Sequence, residues 1–199
     1  MSQDIDEPNE ELPRPRWEDE YLEEVANRLM FSYDLERDHE VDDTVYTMYG
    51  IMQVESRTHI LHPLINYGNH FSYDHLLVDR KAAVGVADLE RQVELGHELA
   101  DRWIVPDAEH YSTDFTFVTI VEEITDEARA YVESYEERNL LKLGYHGHYE
   151  INLILTAPAE EDIAASANAD VHRAFATWRD VENIERPGFF GRVLQSIRR

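Results

Sequence analysis

The 199-residue chain contains no cysteine, so disulfides, thiolate metal sites and a cysteine nucleophile are all excluded. Lysine is almost missing too: of 18 cationic side chains only Lys81 and Lys142 are lysines, and the rest are arginine. The 8 glycines form no G-x-G-x-x-G, no G-x-x-x-x-G-K-[ST] and no G-x-S-x-G, which removes the usual signatures of dinucleotide-binding folds, P-loop NTPases and elbow-type serine hydrolases. H-E-x-x-H is also absent. No run approaches the ~18 to 20 apolar residues that span a bilayer. The opening MSQDIDEPNEELPRPR is acidic and lacks the apolar stretch of a secretory leader. These absences predict a cytoplasmic protein that is at most peripheral to a membrane.

What is present is acid. Asp plus Glu number 42, giving a formal charge of −24, beside 43% hydrophobic residues. Such a balance alone points to disorder, because acidic chains bury too little apolar surface to offset ordering entropy. The 11 Tyr, 7 Phe and 3 Trp spread through the chain argue instead for a packed core. A chain of 23.3 kDa buries roughly 70% of its surface around one such core. Nucleic acid is a poor partner, since neither Lys nor Arg clusters in the body of the chain and no basic recognition helix is visible.

Residues 1–16 hold three prolines, five acids and no aromatic residue, and read as a disordered lead. A single domain is expected over residues 17–183. It opens with a helix in which Trp17, Tyr21, Val25 and Leu29 recur every four residues, and residues 34–43 form a polar bridge after it. Residues 44–55, 59–66 and 71–77 read as three strands, a meander. Residues 86–104 give the clearest helix, with Leu89, Val93, Gly96, Ala100 and Trp103 on one stripe and Pro106 beyond its end. FTFVTIV at 115–121 has the continuous apolar character of a doubly covered strand. A helix capped by Thr125 or Asp126 runs to about residue 138, and residues 148–156 form a strand with Tyr149, Ile151, Leu153 and Leu155 facing one way. Strand, helix, strand over so short a span predicts a right-handed βαβ unit. A polar loop over 160–169 and a helix over 170–181 complete the order α-β-β-β-α-β-α-β-α. The fold class is α+β or α/β, with one mixed sheet of about five strands.

Several clusters could carry chemistry. Glu94, His97, Glu98 and Asp101 share a helix face in a pattern like half of a di-iron site, but that face points away from the apolar stripe and no second Glu-x-x-His exists, so it reads as solvated surface. His59, His62, His70, Asp74 and His75 lie on the meander, where imidazoles from adjacent strands can converge on a ligand. A divalent metal held by His59, His62, Asp74 and His75 is the one cofactor this group suggests; otherwise none is expected. His146, His148 and Glu150 follow Gly144 and Gly147 at the entry to the last strand, and a crevice is expected where that loop meets the end of the 115–121 strand. The residues 184–199 reverse the sign of the chain. There Phe189, Phe190, Val193, Leu194 and Ile197 form one helical face opposite Arg192 and Arg199, with Arg198 also in the docking tail, after the break at Pro187-Gly188. This tail fits docking to an anionic membrane surface or an acidic protein partner, or folding back on the chain's own acidic body.

Two resemblances bear on function. The α-β-β-β-α-β order resembles the core of PD-(D/E)xK nucleases, and Asp79-Arg80-Lys81 matches their (D/E)-x-K element. That resemblance implies a metal-dependent hydrolase in which Asp79 and Lys81 act with Glu55 or Asp74 as second acid. The chain departs from that family in lacking a Pro-Asp pair before this element, and Asp79 lies past the end of its expected strand. The second resemblance rests on RLMFSY at 28–33, VELGH at 93–97, HYSTDF at 110–115 and GYHGHYEIN at 144–152. Through these phrases residues 21–178 look like an uncharacterised haloarchaeal protein family of unknown function, which implies no catalytic residue. An acid-rich, lysine-poor composition also resembles proteins that work in concentrated salt, where the Debye length of ~3 Å screens carboxylate repulsion. The leading expectation is a non-catalytic binding or scaffolding module with a docking tail, and the alternative is the metal-dependent hydrolase.

Overall fold

The structure, a computed structural model, describes residues 14–57, 69–107 and 109–179, with backbone alone at 56, 57 and 69. Seven strands form one mixed sheet with helices on both faces, in the order β1-β2-β3-β4-β6-β5, with β7 also against β6. The first helix, α1 (Glu20–Leu29), starts where the Asp19 carboxylate accepts from the Leu22 amide at 3.0 Å. Glu20 and Glu23 in the first turn and Arg28 in the last match the helix dipole. Three strands follow, β1 (Asp34–Val41), β2 (Thr44–Arg57) and β3 (Asn69–Arg80), paired antiparallel in succession.

From β3 the chain changes connection. Helix α2 (Val86–Trp103) returns it to β4 (His110–Ile120), which lies parallel to β3. Helix α3 (Asp126–Ser134) then leads through the short β5 (Arg138–Leu140) to β6 (His148–Ala157), parallel to β4. Short β7 (Asp162–Ala165) and one-turn α4 (His172–Phe175) close the described fold. The strand alternation separates two cores. Leu77, Phe115, Phe117, Ile151, Leu153 and Leu155 pack with Leu89, Leu99, Ala128 and Val132 of α2 and α3. On the other face Leu76, Val78, Val118, Ile120 and Ile154 pack with Leu22, Val25 and Leu29 of α1 and Phe175 of α4. Helix α2 sits close because Gly96 has no side chain: a Cβ there would lie 2.9 Å from Ile151.

Several sequence expectations are corrected. Among the described residues the sheet has seven strands where about five were expected. The polar bridge at 34–43 is strand β1 and its turn; DLERDHEV has no apolar alternation because it is a charged sheet edge held by backbone pairing to β2. The 160–169 loop contains β7, and the helix expected to residue 138 stops at Ser134 because residues 138–140 pair with β6. Among the described residues the last helix covers only His172–Phe175. The strand read at 59–66 and the tail at 184–199 lie outside the described residues.

Candidate ligand-binding site

A cavity of about 530 Å³ opens beside the amino ends of β3 and β4, on the α2 face of the sheet. Alternation along β3 builds its wall, since Phe71, Tyr73 and His75 all line it while the residues between them face α1. Tyr49 and Ile51 come from β2, Thr113 and His110 from β4, and His39 from the charged edge strand β1. Trp103, Ile104, Val105 and Asp107 close it from the end of α2. That end is anchored to the β1–β2 turn by a two-pronged pair, Arg102 to Asp42 at 2.6 and 2.8 Å. The guanidinium holds the Asp42 carboxyl below its usual range.

The rings are packed against one another. His39 stacks on Tyr49 at 4.1 Å between centroids, and His75 stacks on Phe115 at 5.2 Å with Trp103 edge-on at 5.1 Å. Tyr49 Oη and His75 Nδ1 share a hydrogen bond of 2.7 Å. Burial pushes the His75 imidazole down to about 4 and the Tyr49 phenol up to about 12, so both are neutral at pH 7. His110 bonds the His146 carbonyl through Nδ1 at 2.7 Å and meets Thr113 Oγ1 through Nε2 at 2.8 Å. A carbonyl oxygen can only accept, so Nδ1 carries a proton, and in the neutral ring the Thr113 hydroxyl donates to Nε2.

A bulge sets this corner. Phe71 pairs with His110 and Ser72 with Ser112, which leaves Tyr111 as an extra residue on β4. His110 thereby lines the cavity, while the Tyr111 ring lies between His70 at 6.1 Å and His148 at 5.8 Å. Gly147, at φ +76°, approaches so closely that a Cβ would lie 2.1 Å from the Tyr111 carbonyl oxygen. Only glycine fits there. The loop expected to meet the end of the 115–121 strand meets the beginning of β4 instead, because β6 runs parallel to β4 and is entered from the same end.

Behind the cavity, on the α1 face, the same strands carry a buried polar layer. Asp74, Asp114 and Glu150 stand in one register row across β3, β4 and β6, and Ser72, Ser112 and His148 form the row beside it. Tyr33 donates to Asp74 Oδ2 at 2.6 Å, and Thr116 Oγ1 lies 3.5 Å from Oδ1. Burial raises the Asp74 carboxyl to about 6 against those hydrogen bonds, and burial beside Asp74 pushes the Tyr33 phenol well above its usual value. Arg138 meets His148 Nδ1 at 3.1 Å and lies 3.7 Å from Glu150, which is 3.6 Å from His148 Nε2.

The sequence candidates are thus dispersed. His75 enters the cavity, Asp74 faces α1, and His70 stands against Tyr111. His146 contributes its backbone carbonyl, and His148 and Glu150 join the polar layer. His59, His62 and Phe189, Phe190, Arg192, Val193, Leu194, Ile197 and Arg198 lie outside the described residues. Asp79 and Lys81 pair at 3.9 Å at the far end of β3, and strand alternation puts Asp79 on the face opposite Asp74. Glu55 pairs with Phe71, eight strand positions or roughly 26 Å from the residue opposite Asp79. Among the described residues no group of three His, Asp or Glu side chains could hold a metal ion. Glu94, Glu98 and Asp101 are exposed, whereas His97 turns inward to Tyr149 Oη at 3.0 Å.

Tyr49, Tyr73, Trp103, His39, His110 and Asp107 were missed as site residues. Their signal was the run Phe71, Tyr73, His75 on one side of a strand, which marks an aromatic face but does not distinguish core from cavity. A family model described as a domain of unknown function, DUF8052, matches residues 18–177. The chain belongs to this family. Comparison with curated proteins and with solved structures gives no match. This DUF8052 protein has no helix, among its described residues, long and apolar enough to cross a membrane.

Proposed function

We propose that this DUF8052 protein is a small-molecule-binding module whose site is the aromatic cavity between β1–β4 and the end of α2. The observation that carries this reading is an open space of about 530 Å³, within the ~300 to 1,000 Å³ typical of ligand sites, walled by rings with few polar groups. The polar groups of the wall are paired with one another, Thr113 Oγ1 with His110 Nε2 and Tyr49 Oη with His75 Nδ1.

The test is ¹⁵N–¹H chemical-shift mapping of the full chain with a panel of small aromatic and alkyl compounds. The Trp103 indole and the backbone amides of Tyr49, Tyr73 and His75 report on the cavity. Shifts that concentrate there and saturate support the reading; binders that scatter over the surface, or none, overturn it.

The basic segment 184–199 supports a second contact, to an anionic surface, since Arg186, Arg192, Arg198 and Arg199 stand against only Glu185. Deleting residues 187–199 should release the protein from anionic vesicles; unchanged binding would count against that contact.

A further inference from the structure

We infer that the cavity takes an organic cation, an alkylated ammonium group without N–H donors, held by the rings of Tyr73 and Trp103 and by the Asp107 carboxylate. This rests on the cavity reading above. The charge inventory favours a cation: among the described lining residues there is no Lys or Arg, and the one carboxylate is Asp107. The His75 imidazole is held neutral by burial, so it supplies no counter-charge for a carboxylate or phosphate. Asp107 is fixed in place because its Oδ1 accepts from the Glu109 amide at 2.9 Å and the His110 amide at 2.8 Å. A chain of net charge −24 also raises the local concentration of cations around the opening.

The absence of N–H donors in the ligand follows from the hydrogen bonds already made. Tyr49 Oη is bonded to His75 Nδ1, Thr113 Oγ1 to His110 Nε2, and His39 Nδ1 to Glu36 at 2.6 Å. A primary ammonium loses three strong bonds to water on entry, and with those hydroxyls and imidazoles engaged Asp107 is the one lining carboxylate left to replace them. A quaternary ammonium makes no such bonds in water and loses none. Its diffuse charge is satisfied by aromatic rings, which make up much of the wall.

The experiment titrates the full chain with choline and with its neutral isostere 3,3-dimethylbutan-1-ol, reading Trp103 fluorescence and calorimetric heat. Choline should bind about tenfold more tightly than the isostere and more tightly than ethanolamine. Trp103→Ala, at a half-exposed helix end, and Tyr73→Leu should each weaken choline about tenfold while barely moving the isostere. Asp107→Asn, which keeps an oxygen to accept the two amides, should weaken choline severalfold. If the isostere matches choline at the cavity, or both ring variants bind choline like the parent, the cation assignment is overturned and the cavity reading stands. If no member of the compound panel perturbs the cavity, both fall together.

Discussion

The two faces of the sheet at the amino ends of β3 and β4 are built by alternate residues of the same strands, yet they solve opposite problems. Even-numbered Ser72, Asp74, Thr116, Glu150 and Asn152 are buried polar groups under the α1 layer. Odd-numbered Tyr73, His75 and Thr113 face a space that the chain leaves open. The first face buries hydrogen-bonding groups, and the second collects rings around a void. The difference teaches that polarity is a poor guide to a site in this fold. The carboxylates and imidazoles that look chemical lie in an interior layer, while the side chains that look like core line the cavity.

The largest effect should come from the point where both faces meet. Gly147→Ala forces a side chain into the Tyr111 carbonyl at a positive φ, and should destabilise the fold by about 3 kcal/mol or more in urea unfolding. It should also disturb the amide signals of His110 and of Tyr111 together. Loss on one face alone would show that the bulge does not couple them.

The next two tests separate the faces by the sign of their pH dependence. His75 titrates near 4 in the fold and near 6.5 in the unfolded chain, so the unfolded state takes up the proton first as pH falls. Its contribution is complete above pH 6.5 and is lost between pH 6.5 and 4, by about 3 kcal/mol in all. His75→Phe, which keeps a ring against Phe115, should flatten that part of the stability profile; a variant with the parent's slope would contradict a buried neutral imidazole. Asp74 works the other way. Its carboxyl titrates near 6 in the fold and near 3.8 unfolded, so the folded state holds the extra proton and stability is lost as pH rises from 3.8 to 6. Asp74→Asn, still able to accept from Tyr33, should gain on the parent as pH rises through that window, by about 3 kcal/mol in all. A constant difference across pH would sink the assignment.

The smallest difference is expected with salt. If the acidic surface is matched to concentrated KCl, the melting temperature should rise from low to molar KCl, and by the same increment in the parent and in Asp74→Asn, because Asp74 is buried and the screened carboxylates are not. A melting temperature indifferent to KCl would remove the salt adaptation proposed for this composition.

Much of the framework was legible in the residues. The stripe of α2 and the alternation of β6 gave elements within a residue or two of those observed, because each buries a continuous apolar face that local periodicity records. Strand β1 was not legible. DLERDHEV looks like a linker because an edge strand is stabilised by the backbone of its neighbour, and side-chain patterning carries no trace of that. Missing β1 hid His39, and with it one wall of the cavity. His75 was legible as a candidate and Asp74 beside it as its partner, but one residue of separation on a strand means opposite faces.

By itself, then, the sequence determined the chemistry on hand: a chain without thiols, nearly without lysine, strongly acidic, rich in tyrosine, with two long helices and apolar strands enough for one domain. It also placed Gly144 and Gly147 together at the entry to the last strand, without showing that Gly147 would meet the Tyr111 carbonyl. Tertiary structure alone decided that histidines on one strand, His70 and His75, part company, and that rings from four strands and a helix end enclose a space. The physical reason is that periodicity reports which side of an element is buried. What lies against that side, whether a helix, a polar layer or a cavity, depends on pairings between residues as far apart as Tyr33 and Asp74 or Arg102 and Asp42.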